Sequence, residues 1–344
     1  MPDDRDNEGC DMKVKHKCND WNILAAIAAC FFGCAEVALM SARAGDIASV
    51  GASSGNASIS SAQTVEYVAS SNLVSLLSHR YLVVDLSGGS SAVYFPVSWC
   101  DFDPHRGWGD EYKTTKLVLR RVPPGTFIMG EEKTNKYHRV TLTQSFFIGV
   151  FEVTQRQWEL VVGTRPSYFN DDYEKRPVEN VSFDMIRGKE LGARWPKGDE
   201  VDVDSFLGVL RNRTGLDFDL PTEAQWEWAC SAGTESKYSY GSVPDGRYMW
   251  YYGNAEQQTH EVGLKLPNRW KLYDMHGNVN EWCLNRNSPL WYGNDPRGFS
   301  VGTYRMQRGG AWAVDERLCT TFSRSYGEPS DCMGITGFRV VLRL

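Results

Sequence analysis

Residue types that could do chemistry are concentrated near the end of the chain, between an Arg-Gly-Gly motif at 308–310 and a Gly-Phe-Arg motif at 337–339. The segment between them contains two cysteines (Cys319 and Cys332), two arginines (Arg317 and Arg324) and several aromatic rings. It has neither the period of a helix nor the alternation of a strand, and Gly, Pro, Ser and Asp interrupt it, as expected of a surface loop. Irregular loops held by rigid elements often form binding or catalytic faces. The sequence therefore predicts one of these two functions here.

Aromatic and arginine side chains contribute the most binding energy for the conformational entropy that they lose. For a binding face, the predicted anchors in this segment are Trp312, Phe322, Arg324 and Tyr326. A catalytic face would instead depend on Cys319. No spacing of Ser, His and Asp typical of a hydrolytic triad accompanies it.

Charge and composition exclude some function classes. The chain carries a formal net charge of −6 and has no long basic run, which argues against nucleic-acid binding through phosphate contacts. Aromatic residues make up 12% of the chain, and there are 32 Gly, which favours a loop-rich fold held by large planar side chains. The cysteines after residue 43 are too widely spaced for a Cys-x-x-Cys zinc site.

The first 43 residues have the pattern of an export signal, three lysines followed by a short apolar run. Two cysteines, Cys30 and Cys34, end lipobox-like stretches of this run, so a lipid anchor at either one and plain secretion both remain open. Residues 44–63 are rich in Ser, Ala and Gly and are predicted to form a flexible tether. We expect a bacterial protein exported to the cell envelope, at the surface or in the periplasm, whose only membrane attachment is this anchor.

Two further regions follow the tether. Residues 64–112 are predicted to form a small β segment, with a hairpin of two β-branched runs. Residues 113–344 are predicted to form the main domain, in which short strands surround a few helices. Thr154 with Gln157, and Thr222 with Gln225, are capping boxes that mark two helix starts. The pattern is that of an α+β fold with an irregular, Gly- and Trp-rich framework.

Seven ordered motifs resemble those of the formylglycine-generating enzymes, also called the sulfatase-modifying-factor family. They are Pro124 to Gly130, Glu152 to Gln155, Pro177 to Ser182, Leu220 to Glu227, Asp274 to Trp282, Arg308 to Gly310 and Gly337 to Arg339. The resemblance covers roughly 117–344 and implies a variant of the C-type-lectin fold. It also implies a copper-dependent oxidase that converts a substrate Cys to formylglycine with two thiols after the Arg-Gly-Gly motif.

The motif spacing places the second of those thiols at Cys319, but the first position is occupied by Val314. A two-sulfur Cu(I) site needs both thiolates, and Cys332 lies on the wrong side of Cys319 to replace the missing one. The oxidase hypothesis therefore lacks a central residue. A structural alternative for Cys319 is a disulfide with Cys283, which in the chain-entropy model would add roughly 3–4 kcal/mol of stability.

The same resemblance implies a calcium site in the loop 274–281. Asp274 and Glu281 would supply carboxylates, and Gly277 and Val279 backbone carbonyls, which suits a hard cation. The alternative is a tight turn at 277–278 with Glu281 paired to an arginine such as Arg308. Isolated histidines, without a His-x-x-x-His pair, argue against the iron enzymes of the family.

Some relatives with this domain are variable proteins of diversity-generating retroelements, in which the same C-terminal segment is diversified. By spacing, the corresponding positions are Ala313, Val314, Asp315, Leu318, Phe322, Ser325, Tyr326, Gly327 and Glu328. The favoured hypothesis is a non-catalytic binding protein that contacts a protein or carbohydrate ligand through residues 311–336. The alternative is a formylglycine-generating-type oxidase, or another non-haem redox enzyme of the family, and copper is expected only in that case.

Overall fold

A computed structural model of the protein describes residues 79–101, 107–131, 136–288 and 293–344. The predicted export signal (1–43), its candidate anchor cysteines and the predicted tether (44–63) lie outside the described residues. Within the described ranges, no helix is long and apolar enough to cross a membrane.

Helices and strands are interspersed along the described chain, in agreement with the α+β prediction. The helices are α1 (Gln155–Val162), α2 (Phe183–Arg187), α3 (Phe206–Thr214) and α4 (Glu223–Ser231). The strands are β1 (Tyr81–Asp85), β2 (Val97–Cys100), β3 (Lys116–Val122), β4 (Gly125–Glu131), β5 (Lys136–Leu142), β6 (Phe146–Gly149), β7 (Phe218–Asp219), β8 (Asn280–Arg286), β9 (Gly293–Asn294), β10 (Arg305–Arg308), β11 (Arg324–Gly327), β12 (Thr336–Gly337) and β13 (Val341–Arg343).

The largest sheet of the described chain has six strands in the order β2-β1-β3-β6-β13-β7. Strand β1 pairs antiparallel with β2 on one side and with β3 on the other, so that Val83 faces both Ser98 and Val118. The first strand of the hairpin predicted within 64–112 is therefore part of the main sheet, but its partner is Val97–Cys100 rather than the predicted run 92–97. The boundary predicted at residue 113 falls inside a continuous sheet rather than between two folding units.

Helices α1, α2 and α3 contribute to the core that this sheet helps to enclose. Helix α1 begins at a capping box, in which Thr154 Oγ1 accepts from the Gln157 amide and Gln157 Oε1 accepts from the Thr154 amide. Its buried Trp158 stacks on Phe206 of α3, with ring centroids 5.2 Å apart. Stacked, fully buried rings of this size supply much of the area that a core removes from water.

A four-stranded sheet in the order β11-β10-β8-β12 carries the C-terminal segment. Strands β10 and β11 are antiparallel, with Arg308 opposite Arg324, and the short β12 runs parallel to β8. The expectation that no regular structure lies between 311 and 336 is wrong for β11 and for a 3₁₀ turn at Glu316–Leu318. Pairing with β10, rather than any local pattern, makes Arg324–Gly327 a strand.

Residues 262–263 form a turn, in which Gly263 has φ +74°. The Gly263 amide donates to Asp274 Oδ2 at 2.6 Å instead of joining a ladder. A remaining small sheet has the order β4-β5-β9. It packs its apolar face with α4 and the four-stranded sheet around a second core that includes Trp226 and Met306.

Candidate functional site

The Gly-Gly turn after β10 brings Cys319 under the start of the C-terminal segment. Gly309 and Gly310 have φ values of +101° and +77°. A Cβ added to Gly310 would lie 2.6 Å from Cys319 Sγ and 2.9 Å from the Leu318 carbonyl oxygen, so no side chain fits. The Gly309 carbonyl in turn accepts from the Gly277 amide at 2.8 Å, which joins this turn to the 274–281 loop.

The Arg308 side chain binds the backbone in the middle of the C-terminal segment. Its guanidinium is buried and donates to the carbonyl oxygens of Phe322 (2.9 Å) and Ser323 (2.8 Å), and it forms an ion pair with Glu227 of α4. Burial raises the pKa of Glu227, although Arg308 and the Gly130 amide oppose that rise. Removing one partner of a buried ion pair typically costs about 3–5 kcal/mol. The buried Arg308 guanidinium therefore holds the backbone of residues 321–323 in one position.

His276, which the sequence left without a role, is a buried structural link. Its Nδ1 donates to the Cys319 carbonyl oxygen at 2.7 Å, and its Nε2 accepts from Ser239 Oγ at 2.9 Å and from the Ser239 amide at 3.2 Å. Burial lowers the pKa of His276 to about 4, against the opposing effect of the Cys319 carbonyl. The ring is therefore neutral at pH 7 and fixes the backbone at Cys319.

The thiols do not fit a copper oxidase. Burial raises the pKa of Cys319 to about 12, so that without a metal its thiol is protonated at neutral pH. Val314 occupies the other expected position, and Cys332 is engaged in a disulfide. Among the described residues, no group of three or more His, Cys, Asp and Glu side chains is placed to hold a metal ion.

The predicted disulfide between Cys283 and Cys319 is wrong, since both side chains are free thiols. Cys283 is buried in the core that contains Met306, whereas Cys319 packs with Tyr238 and Met249 in a separate small cluster. The two cysteines lie on either side of the Arg308–Gly310 motif in sequence, but their side chains pack in different clusters.

The carboxylates of the predicted calcium loop are largely occupied. Glu281 accepts from Arg339 Nε and Nη2, both at 2.6 Å, and from Trp226 Nε1 at 2.7 Å. The arginine that pairs with Glu281 is thus Arg339, not the suggested Arg308. Burial raises the pKa of Asp274 to about 6, and its Oδ1 has no hydrogen-bond partner among the described residues.

Calcium bound by Asp274, Gly277, Val279 and Glu281 would have to displace a buried guanidinium from Glu281. The bidentate pair already satisfies the charge that a cation would neutralise. The residues present therefore do not fit a calcium ion in this arrangement.

Exposure separates the predicted ligand-binding residues into three groups. Leu318 and Tyr326 are 56% and 54% exposed, and Glu328 is also exposed. Gly327 is buried, and a Cβ added there would lie 2.9 Å from the Trp282 ring, so its prediction as a ligand contact is wrong. The half-buried members are Trp312, Ala313, Val314, Asp315, Phe322, Arg324 and Ser325.

Arg324 attaches β11 to α4 rather than standing free as a ligand anchor. Its Nε and Nη2 donate to the two carboxylate oxygens of Glu223, each at 2.8 Å, and Nη2 also donates to the Ser288 carbonyl oxygen at 2.9 Å. Glu223 is fully buried. A bidentate pair of this kind fixes the strand's position, and its predicted role as an anchor is corrected to a structural one.

Aromatic residues outside the segment extend its surface, and the sequence analysis did not select them. Tyr304 lies beside Tyr326 with ring centroids 5.1 Å apart. The Tyr252 amide donates to the Val314 carbonyl oxygen at 2.9 Å, and the Tyr252 side chain is 69% exposed. In the sequence, Tyr304 and Tyr252 are aromatic residues in loops without periodicity, which does not set them apart. Their contact with the C-terminal segment depends on the tertiary fold.

Comparisons with known proteins agree with this architecture. Residues 110–344 match the family model of the sulfatase-modifying factor enzyme 1-like domain. The chaperone protein LppX of Paenibacillus barcinonensis is 31% identical over 256 residues, covering 62% of this chain and 86% of that protein. A formylglycine-generating enzyme of Thermomonospora curvata is 31% identical over 144 residues, covering 35% of this chain and 48% of the enzyme. The chain thus spans about half the length of that enzyme.

Two solved structures share the fold. Treponema denticola variable protein 1 superposes with a TM-score of 0.57 at 28% identity, covering 67% of this chain and 96% of that one. PvdO from Pseudomonas aeruginosa gives a TM-score of 0.55 at 20% identity, covering 66% and 95% respectively. The mixed helix-and-strand architecture is consistent with a C-type-lectin-like fold. On the family match over 110–344, the chain belongs to the sulfatase-modifying-factor (formylglycine-generating-enzyme) family.

Proposed function

We propose that the protein is an exported, non-catalytic binding protein whose ligand contacts the surface of residues 311–336. The observation that carries this proposal is the combination of a rigid backbone with exposed apolar side chains. Arg308 and His276 fix the segment from beneath, while Leu318 and Tyr326 are more than half exposed. Exposed aromatic and aliphatic groups on a preorganised backbone lose little entropy when they bind a partner.

The absence of a usable thiol pair supports binding over oxidation. Cys319 is buried and protonated at neutral pH, and Val314 stands where a second thiol would be needed. The similarity to the chaperone protein LppX and to Treponema denticola variable protein 1 is also compatible with recognition of another macromolecule. The proposal extends to diversification of the segment. An adjacent template repeat that differs from the gene only at adenines would support it, and a genome without such a repeat would contradict it.

Binding is tested with a matched pair of surface variants. The exposed residues Leu318 and Tyr326 are changed to serine together, and Val93 and Tyr94, which are also more than half exposed, are changed to serine in the control. Wild-type and variant proteins are immobilised and presented with a glycan array and with solubilised cell-envelope proteins. We expect a saturable ligand that the wild type and the control retain and that Leu318→Ser/Tyr326→Ser loses. Equal retention by both variants would refute the assignment of this face.

The oxidase alternative is tested by copper titration and by aldehyde detection on a Cys-containing peptide. We expect no stoichiometric Cu(I) binding and no aldehyde with either the wild type or Cys319→Ser. Aldehyde formation that disappears in Cys319→Ser would overturn the non-catalytic proposal.

Export and lipidation are proposed from the N-terminal pattern alone. Cell fractionation and metabolic labelling with palmitate, applied to the wild type and to Cys30→Ala and Cys34→Ala, test them. Label lost in one variant identifies the anchor, and protein confined to the cytoplasm would contradict export.

A further inference from the structure

Three aromatic rings form a continuous row beside the C-terminal segment. Tyr168 meets Phe169 edge-on with ring centroids 5.0 Å apart, and Phe169 meets Trp312 edge-on at 5.3 Å. Tyr168 is 70% exposed, and Phe169 and Trp312 are half-buried. Trp312 is fixed in place because its Nε1 donates to the Gly334 carbonyl oxygen at 2.9 Å.

A buried carboxyl group lies behind this row. Glu179 is 0% exposed, and its Oε1 accepts from the Phe169 amide at 2.9 Å. Its Oε2 has no hydrogen-bond partner in the part of the chain that the structure describes. Leaving a buried polar atom without a partner typically costs about 1–3 kcal/mol, so a group that satisfied Oε2 would recover that free energy.

Gly334 lies next to this oxygen and presents no side chain to it. A Cβ added to Gly334 would lie 3.6 Å from Glu179 Oε2 and 3.9 Å from Tyr168 Cβ, and it would meet no other atom within 4 Å. The nearby Tyr168 side chain is 70% exposed. We call this site, formed by Tyr168, Phe169, Glu179, Trp312 and Gly334, the aromatic notch.

We propose that the aromatic notch is a subsite for a positively charged side chain, lysine or arginine, of a protein ligand. A carboxylate with a free oxygen attracts an ammonium or guanidinium group, and the faces of Tyr and Trp rings add cation–π attraction. The chain's net charge of −6 favours the approach of a basic partner. The subsite is part of the binding face proposed above and depends on that function.

Titration of Glu179 supplies a specific signature. Burial raises the pKa of Glu179 to about 7, while the Phe169 and Tyr168 amides and the charge of Arg176 oppose the rise. A bound cation stabilises the ionised form and lowers this pKa, so affinity should increase with pH as the carboxyl group ionises. Simple contact with apolar rings would not depend on pH.

The test uses the full chain and small probes. Nα-acetyl-lysine amide and Nα-acetyl-arginine amide are titrated, with the uncharged Nα-acetyl-norleucine amide as the control probe. The indole N–H resonance of Trp312, assigned with Trp312→Phe, reports binding next to Gly334. Glu179→Gln removes the charge, Gly334→Ala narrows the approach, and Glu235→Gln removes an exposed carboxylate elsewhere as the matched control.

We expect both basic probes to bind saturably at pH 8. Their affinity should be roughly tenfold or more weaker at pH 5.5, because a group with a pKa near 7 is almost fully protonated there. The same loss is expected in Glu179→Gln, with a smaller loss in Gly334→Ala and none in Glu235→Gln. Equal binding of the norleucine probe, or unchanged binding in Glu179→Gln, would overturn the proposal. Gly334→Ala gives an independent answer if Glu179→Gln does not fold.

The outcome can be separated from that of the proposed function. If the basic probes do not bind but Leu318→Ser/Tyr326→Ser abolishes ligand retention, the aromatic notch fails as a subsite and the binding face stands. If neither the probes nor any ligand bind, both proposals fail.

Discussion

Replacing Glu179 with glutamine should stabilise the protein at alkaline pH and leave its stability unchanged at acidic pH. Burial raises the pKa of Glu179 from 4.5 to about 7, so the folded state binds the proton more tightly than the unfolded state. The favourable contribution of this group is therefore complete below pH 4.5 and is lost as the pH rises to 7. Glutamine has nearly the same shape and does not titrate.

The difference in pKa sets the size of the effect. Each unit corresponds to about 1.4 kcal/mol, so the 2.5 units between 4.5 and 7 correspond to about 3 kcal/mol. Above pH 7.5, Glu179→Gln should exceed the wild type by up to that amount in free energy of unfolding. In a domain of this size, that is an increase of roughly 6–10 °C in melting temperature.

The assay is urea and thermal unfolding of both proteins from pH 4 to pH 8.5, with the free-energy difference plotted against pH. The other titrating groups are common to both proteins and cancel in the difference. Glu235→Gln, at an exposed carboxylate, should give a flat difference near zero. A difference for Glu179→Gln that does not change with pH, or a variant that is less stable at pH 8, would refute the account of a buried carboxyl group with one unpartnered oxygen.

Three further outcomes are expected. Gly310→Ala should destabilise the protein by roughly 3 kcal/mol or more in urea unfolding, since its Cβ would meet Cys319 Sγ at 2.6 Å. The control Gly215→Ala has a similar φ and open space around the added Cβ, so it should cost only about 1 kcal/mol. Equal costs of the two substitutions would contradict the steric argument. Because the pKa of His276 is lowered from 6.5 to about 4, stability present above pH 6.5 should be lost as the pH falls to 4, by about 3 kcal/mol. His276→Gln should remove that pH slope, and a slope left intact would show that another group causes it. Chelation of calcium should leave the melting temperature unchanged, because Arg339 already occupies Glu281, and a fall that added calcium reverses would overturn this assignment.

Local sequence signals correctly predicted two helix starts. The capping boxes at Thr154 and Thr222 both form, at the beginnings of α1 and α4. These signals succeed because a cap is a hydrogen bond between residues two or three apart, so the sequence contains both partners. The ordered motifs likewise identified the family, which the match over 110–344 confirms.

Partners that are distant in sequence were decided by the tertiary structure. Sequence spacing suggested that Cys319 pairs with Cys283 and that Glu281 pairs with Arg308. In the structure, Cys319 is a free thiol in a separate cluster, and Glu281 forms its ion pair with Arg339. Arg324, chosen as a ligand anchor for its residue type, is held by Glu223. A buried charge takes whichever opposite charge the packed chain brings near, and a linear sequence does not contain that distance.

The sequence by itself determined the family, the helix starts and the lack of a second thiol at Val314, since each depends on residue identity at short range. Only the tertiary structure decided which side chains of the C-terminal segment face solvent. It buried Gly327, exposed Leu318 and Tyr326, and brought Tyr168 and Phe169 beside Trp312, with the buried Glu179 behind them. Exposure depends on packing between segments more than 100 residues apart, and that packing forms only when the chain has folded.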